Sequence, residues 1–216
     1  MSIRSIAPYP MPGPAELPAN IVDWTVERGR GVLLLHDMQR YFLAPFTEGE
    51  SPRAELVRNV VRLRKLFAEL GMPVVFTAQP GNMTPRERGL LADFWGPGMT
   101  GAADQRNLIE ELTPDGGRVF TKWRYSAFHG SGLLDHLRAL GRDQLVVCGV
   151  YAHLGCLITA CDAFGHDIQP FLVADAVADF SRADHDLALA YAAESCAMVT
   201  TTAAVIARLD RPDSAG

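Results

Sequence analysis

Six short apolar runs alternate along the chain with segments of helical periodicity, and that alternation leaves few architectures open. The runs are Val32–Leu35, Val74–Phe76, Val119–Phe120, Leu145–Cys148, Phe171–Val173 and Met198–Thr201. Val32-Leu-Leu-Leu35 is apolar at every position, the mark of a strand buried on both faces. Leu56, Val60, Leu63, Phe67 and Leu70 fall on one helical stripe, with Ser51-Pro52 placed to start that helix and Gly71 and Pro73 to stop it. Further helices are expected over Leu108–Leu112, Leu133–Leu140, His153–Phe164 and Asp184–Ser195, with a closing helix after the last strand. Such alternation predicts an α/β fold. It is a six-stranded parallel sheet with helices on both faces, a Rossmann-like three-layer sandwich.

The 216 residues suit one domain of this kind. Residues 1–24 read as a Pro-rich N-terminal arm, with prolines at 8, 10, 12, 14 and 18; residues 25–210 as a single domain; residues 211–216 as a polar tail. A chain that is 48% apolar and 21% charged is neither disordered nor fibrous. Its 25 acidic residues outnumber 20 basic ones, which argues against nucleic acid as a partner. No apolar run approaches the roughly 20 residues that span a bilayer, and the N-terminus lacks a signal-like apolar core, so no membrane partner and a cytoplasmic setting are expected. Cys148, Cys156, Cys161 and Cys196 form no C-x-x-C pair, consistent with reduced thiols. The histidines, at 36, 129, 136, 153, 166 and 185, show no metal spacing and read mainly as surface or capping residues. Neither a metal nor a cofactor is expected.

In a parallel sheet the ligand lies beyond the carboxyl ends of the strands, so polar residues just after each apolar run are the candidates. They are His36-Asp37-Met38-Gln39, Thr77-Ala78-Gln79-Pro80, Thr121-Lys122-Trp123-Arg124-Tyr125, Gly149 to Cys156, and Asp175 with Asp179. Asp37 is a carboxyl at a pocket floor, where apolar walls would raise its pKa toward general-acid work. Lys122 is one of only two lysines, the other being Lys65, in a chain whose remaining bases are arginine. A lysine kept against that background points to a need for a compact ammonium. Tyr151 to Gly155 leads into a helix start, where free N–H groups favour an anion. Cys156 near that start is a candidate nucleophile or a packed structural thiol. Arg86 and Arg88 flank Glu87, and either is a candidate clamp for a carboxylate.

At these residues the chain resembles the isochorismatases of the cysteine-hydrolase-like superfamily. The resemblance runs from Leu17-Pro-Ala-Asn almost to the C-terminus. It is carried by Leu35-His-Asp-Met-Gln39 with Tyr41-Phe42, Phe76-Thr-Ala-Gln-Pro80, Trp95-Gly-Pro-Gly98, Thr121-Lys-Trp-Arg-Tyr-Ser-Ala-Phe128, Gly149-Val-Tyr-Ala-His-Leu-Gly155, and Phe171 to Ser181. It implies hydrolysis of the vinyl ether of isochorismate, or of 2-amino-2-deoxyisochorismate, to pyruvate and a dihydro ring product. Asp37 would be the acid and Lys122 its partner or a substrate anchor, and Gly155 stands where the amidase branch has its cysteine. Phe42, Gln79, Arg88, Trp95, Tyr125 and Tyr151 would surround a small dicarboxylate substrate. The resemblance further implies a homodimer, a non-prolyl cis peptide near Val150–Tyr151, and no metal, since Gln79-Pro-Gly-Asn82 stands in place of the nicotinamidase D-x-H motif. With no carrier domain after Arg208-Leu209, and with the stretch Met83–Trp95, the chain looks most like stand-alone hydrolases of phenazine and related antibiotic pathways, pointing to the amino substrate. Two alternatives stay open: a cysteine amidohydrolase using Cys156, and a non-catalytic docking subunit of a biosynthetic assembly.

Overall fold

The computed structural model describes residues 3–114 and 116–211, so all but Arg211 of the expected tail lies outside it. Six strands make one sheet: β1 (Gly31–His36), β2 (Val74–Ala78), β3 (Arg118–Thr121), β4 (Gln144–Val150), β5 (Gln169–Ala178) and β6 (Met198–Thr200). Every neighbouring pair is parallel, in the order β3-β2-β1-β4-β5-β6. The longer helices are α1 (Arg53–Glu69), α2 (Leu133–Ala139), α3 (Leu157–Gly165), α4 (Arg182–Ser195) and α5 (Thr202–Leu209).

All of β1 is buried, and its alternate side chains feed two separate cores. Leu33 and Leu35 pack with Leu63 and Phe67 of α1, whereas Val32 and Leu34 pack with Leu133 and Leu157. Burying each such side chain contributes roughly 1.5–3 kcal/mol, so both faces hold the sheet in register. The chain winds outward from β1 through β2 to β3, then returns to lay β4 against the other side of β1. The crevice at that reversal, beyond the carboxyl ends of β1 and β4, is where such sheets bind ligands.

Several boundaries differ from the sequence reading for local reasons. Helix α1 starts at Arg53, one residue late, with Pro52 as its N-cap. Leu108 pairs with Gln39 in an antiparallel bridge, which leaves only a 3₁₀ turn at Glu110–Leu112 where a helix is expected. Strand β5 runs on to Ala178 past a bulge: its ladder jumps from Val147–Leu172 to Gly149–Val177. Asp175 lies in that bulge rather than at a strand end. Its carboxylate accepts from the N–H and hydroxyl of Thr202 at 2.7 and 2.9 Å, so this candidate caps α5. The helix expected from His153 opens instead with a π-helical turn, Ala152–Cys156. Its His153 N–H donates to Asp179 and its Cys156 N–H to Tyr151, so these donors of the helix start are already engaged.

The Pro-rich arm lies on the domain. The Ile6 N–H donates to Pro45 at 2.9 Å, and the Tyr9 hydroxyl accepts from the Asp179 N–H at 2.7 Å and lies 3.2 Å from His185 Nδ1. Among the described residues no helix is long and apolar enough to cross a membrane.

Candidate active site

Asp37 follows β1 directly with a φ of 51°. That conformation is open to Asp more than to most residues, and it turns the side chain off the strand. Thr77 of β2 donates its hydroxyl to Asp37 Oδ1 at 2.8 Å and accepts the Asp37 N–H at 3.1 Å. Lys122, the first residue past β3, sets Nζ 2.8 Å from Asp37 Oδ2. The two residues are 3% and 2% exposed. Burial pushes the Asp37 carboxyl up, but the Lys122 ammonium, His36 and the Thr77 hydroxyl together hold it below the usual carboxylate range. The expected upward shift is therefore not what these side chains produce by themselves, because a contact cation outweighs desolvation.

Arg88 is buried, 5% exposed, whereas Arg86 is out in solvent. The Gly96-Pro-Gly98 turn folds around its guanidinium: Nε donates to the Gly96 carbonyl at 2.8 Å, and a Cβ on Gly98, at φ 81°, would sit 3.0 Å from Cζ. Nη1 donates to Gln79 Oε1 at 3.2 Å. Gln79 is held through its backbone by the buried Gln39, whose amide donates to its carbonyl and accepts its N–H. Among the described residues no carboxylate pairs with Arg88, so its charge lacks a partner in a desolvated place.

The far wall is aromatic. Trp95 donates Nε1–H to the Tyr125 hydroxyl at 2.7 Å and stacks on Phe180, which stacks in turn on Tyr151 with centroids 4.1 Å apart. The Tyr151 hydroxyl donates to the Phe42 carbonyl at 2.8 Å, and the Val150–Tyr151 peptide is cis. These groups line one cavity. Asp37, Lys122, Gly155, Phe42, Gln79, Arg88, Trp95, Tyr125 and Tyr151 all line it. So do His36, a strand-end candidate to which sequence reasoning gives no role, and Tyr41 and Phe180. Phe180 carries one signal, its place directly after the strand-end Asp179.

Two histidines are buried, contrary to the surface reading. His185 lies under the arm, with Nε2 3.0 Å from the Ala174 carbonyl. His36 closes β1 with Nδ1 2.9 Å from the Val150 carbonyl. Burial, reinforced by Lys122 and only partly offset by Asp37 and the Val150 and Tyr125 backbone, brings the His36 pKa down to about 4. The sign follows. The unfolded chain takes up a proton near pH 6.5 that the folded protein refuses until about pH 4, so stability is full above pH 6.5 and is lost as pH falls through this window. The loss amounts to about 3 kcal/mol. Urea midpoints at pH 7 and pH 4.5 should differ accordingly, and His36→Phe should shrink the difference; an undiminished difference in that variant would sink the assignment.

A family model described as the isochorismatase domain matches residues 31–204. The chain belongs to the isochorismatase family. "Phenazine biosynthesis protein PhzD1" of Pseudomonas aeruginosa is 57% identical over 205 residues, 94% of this chain and 98% of that protein. "Isochorismatase" of Bacillus subtilis is 50% identical over 210 residues, 97% of this chain and 67% of that one. A cysteine hydrolase from Pseudomonas syringae superposes with a TM-score of 0.78 at 23% identity, covering 89% of this chain and 97% of that one, which shows a shared fold. At these identities to isochorismatases this family member is a hydrolase of isochorismatase type.

Cys156 is not in the cavity of this isochorismatase-family chain. It is fully buried in the core on the other face of β1, and burial pushes its thiol well above the usual range, the reverse of the drop expected at a helix start. Cys156→Ser should leave turnover within its order of magnitude while costing about 1–3 kcal/mol of stability for a buried hydroxyl. Denaturation and steady-state rates check both; abolished turnover would return the nucleophile to this sulfur. Among the described residues His153, Asp179 and Asp184 bring ligand atoms together. Hydrogen bonds account for their approach, since Asp179 accepts from His153 and Phe180, and Asp184 from the Ser181 hydroxyl.

Proposed function

We propose that this enzyme hydrolyses the vinyl ether of isochorismate or 2-amino-2-deoxyisochorismate by general acid catalysis from Asp37, without a covalent intermediate. The carrying observation is the charge in the cavity: two buried cations, Lys122 and Arg88, against one carboxylate, Asp37. A dicarboxylate substrate balances both cations only if Asp37 is then protonated. The two substrate charges would also raise the Asp37 pKa that Lys122 depresses, so the acid becomes competent when the substrate arrives. Asp37 protonates the methylene carbon of the enol ether. Water adds to the resulting oxocarbenium carbon, and the hemiketal collapses to pyruvate and the ring alcohol. A positioned acid supplies about 10²–10⁴-fold, and the aromatic wall contributes by orienting the ring and excluding water. Covalent attack is not needed, which fits the glycine at 155 and a Cys156 that does not line the cavity.

The reading includes a place in secondary-metabolite biosynthesis of the phenazine type, in the cytoplasm, as a homodimer. Its support is the identity to the phenazine biosynthesis protein, the free cysteines, and an exposed apolar patch of Leu187 and Tyr191 on α4 with Ile21 bonded to the same helix. The test is lactate dehydrogenase-coupled detection of pyruvate on the hydroxyl and amino substrates side by side. No pyruvate from either would overturn the proposal and leave the docking-subunit reading.

A further inference from the structure

One buried polar group in the cavity takes no part in the acid step. The ring of His36 stands where a side chain on residue 155 would be. A Cβ on Gly155 would come within 2.1 Å of Cε1, 2.8 Å of Nε2 and 2.9 Å of Nδ1. The ring cannot easily retreat, because Nδ1 is bonded to the Val150 carbonyl and the His36 backbone is paired with Gly149 of β4. Carbonyls only accept, and of the two backbone groups acting on the ring, Val150 and Tyr125, only Val150 is in hydrogen-bond geometry, at 2.9 Å from Nδ1, so the single hydrogen of the neutral ring is on Nδ1 and Nε2 carries a lone pair. Among the described residues Nε2 is buried without a hydrogen-bond partner, in a residue that lines the cavity. Such a group is costly unless something completes it.

We propose that His36 is a second catalytic residue, whose Nε2 accepts a proton from the water that adds to the oxocarbenium carbon. The inference rests on the vinyl-ether reading of the site. Asp37 gives its proton to the methylene carbon. The water oxygen then bonds to the cationic carbon and passes one proton to Nε2. The hemiketal breaks its bond to the ring oxygen, the imidazolium protonates that leaving oxygen, and the new hydroxyl returns a proton to the Asp37 carboxylate. One water is consumed and both side chains end as they began. Asp37, its carboxylate 3.9 Å from the His36 ring, is negative while the imidazolium exists and stabilises it.

His36→Phe in the full chain keeps the volume and removes the lone pair. With isochorismate and its 2-amino analogue as probes, kcat should fall roughly 10²-fold with little change in KM. Unreacted substrate recovered from D₂O should carry deuterium at its vinyl methylene, because the oxocarbenium ion reverts when water captures it slowly; substrate recovered from the unmodified enzyme should not. A structural defect would lower the rate without that label. If His36→Phe does not fold, His36→Gln, which offers an amide oxygen as a poorer acceptor, should show the same label at an intermediate rate. An unchanged rate, or a slowed one with unlabelled substrate, overturns the proposal. An unmodified enzyme that releases no pyruvate from either probe overturns the reaction itself, so the two failures are distinguishable.

Discussion

Asp37→Asn should lower pyruvate release by about 10²–10⁴-fold, the range a positioned general acid supplies. Asparagine tolerates the positive φ of this position, and its amide oxygen still accepts from Thr77, so the shape of the floor survives. It cannot deliver a proton to carbon. It also removes the charge that occupies Lys122, so the dianionic substrate should bind at least as well as before. Steady-state assay and calorimetric titration together separate loss of chemistry from loss of binding. A variant keeping more than a small fraction of the rate would show that the acid lies elsewhere. The cost to the fold is separate: leaving Lys122 buried without its carboxylate is worth about 3–5 kcal/mol, so rates are to be read well below the melting transition.

Lys122→Met should be the other severe lesion, about 30- to 5,000-fold in kcat/KM, from the 2–5 kcal/mol that truncating one member of a buried charge pair costs. The pH dependence gives its signature. Burial pushes Asp37 up and Lys122 holds it down, so without the ammonium the carboxyl titrates higher in the free enzyme. The limb of the kcat/KM profile on which activity falls as pH rises, which reports loss of the Asp37 proton, should move to higher pH. The stability sign agrees. A depressed Asp37 contributes stability that is present above its ordinary pKa of 3.8 and lost as pH falls through its folded value; that contribution should vanish in Lys122→Met. Lys122→Arg should not restore activity, since a planar fork does not replace a compact ammonium sealed against one carboxylate. That falling limb left in place would mean that the pair is not coupled as the 2.8 Å contact implies.

Much of this arrangement is legible in the sequence because the strands end abruptly. In a sheet buried on both faces a polar residue directly after an apolar run must lie at the rim, which picks out Asp37, Lys122 and Gln79. What is not legible depends on approach between distant segments. His36 is a strand-end candidate, but nothing in the sequence shows its depth; its burial comes from Val150 and Gly155, brought beside it by the pairing of β1 with β4. Arg88 sits in a charged loop whose burial requires the Gly96–Gly98 turn to fold around it. Asp175 imitates a strand end because a bulge interrupts β5, and bulges leave no periodic trace. The resemblance to isochorismatases identifies Arg88 where residue patterning alone does not. Its motif Leu35-His-Asp-Met-Gln39 includes His36 but assigns the role to the neighbouring acid.

The hydroxyl of Tyr9 has a consequence for anyone shortening this protein. It grips the backbone amide of Asp179, and the next residue, Phe180, is the middle ring of the stack facing the cavity. The proline-studded leader is thus a wedge behind the substrate's aromatic backrest. Trimming it, or fusing a tag that lifts it away, would register as weakened recognition far from the cut and be mistaken for damage to the catalytic floor.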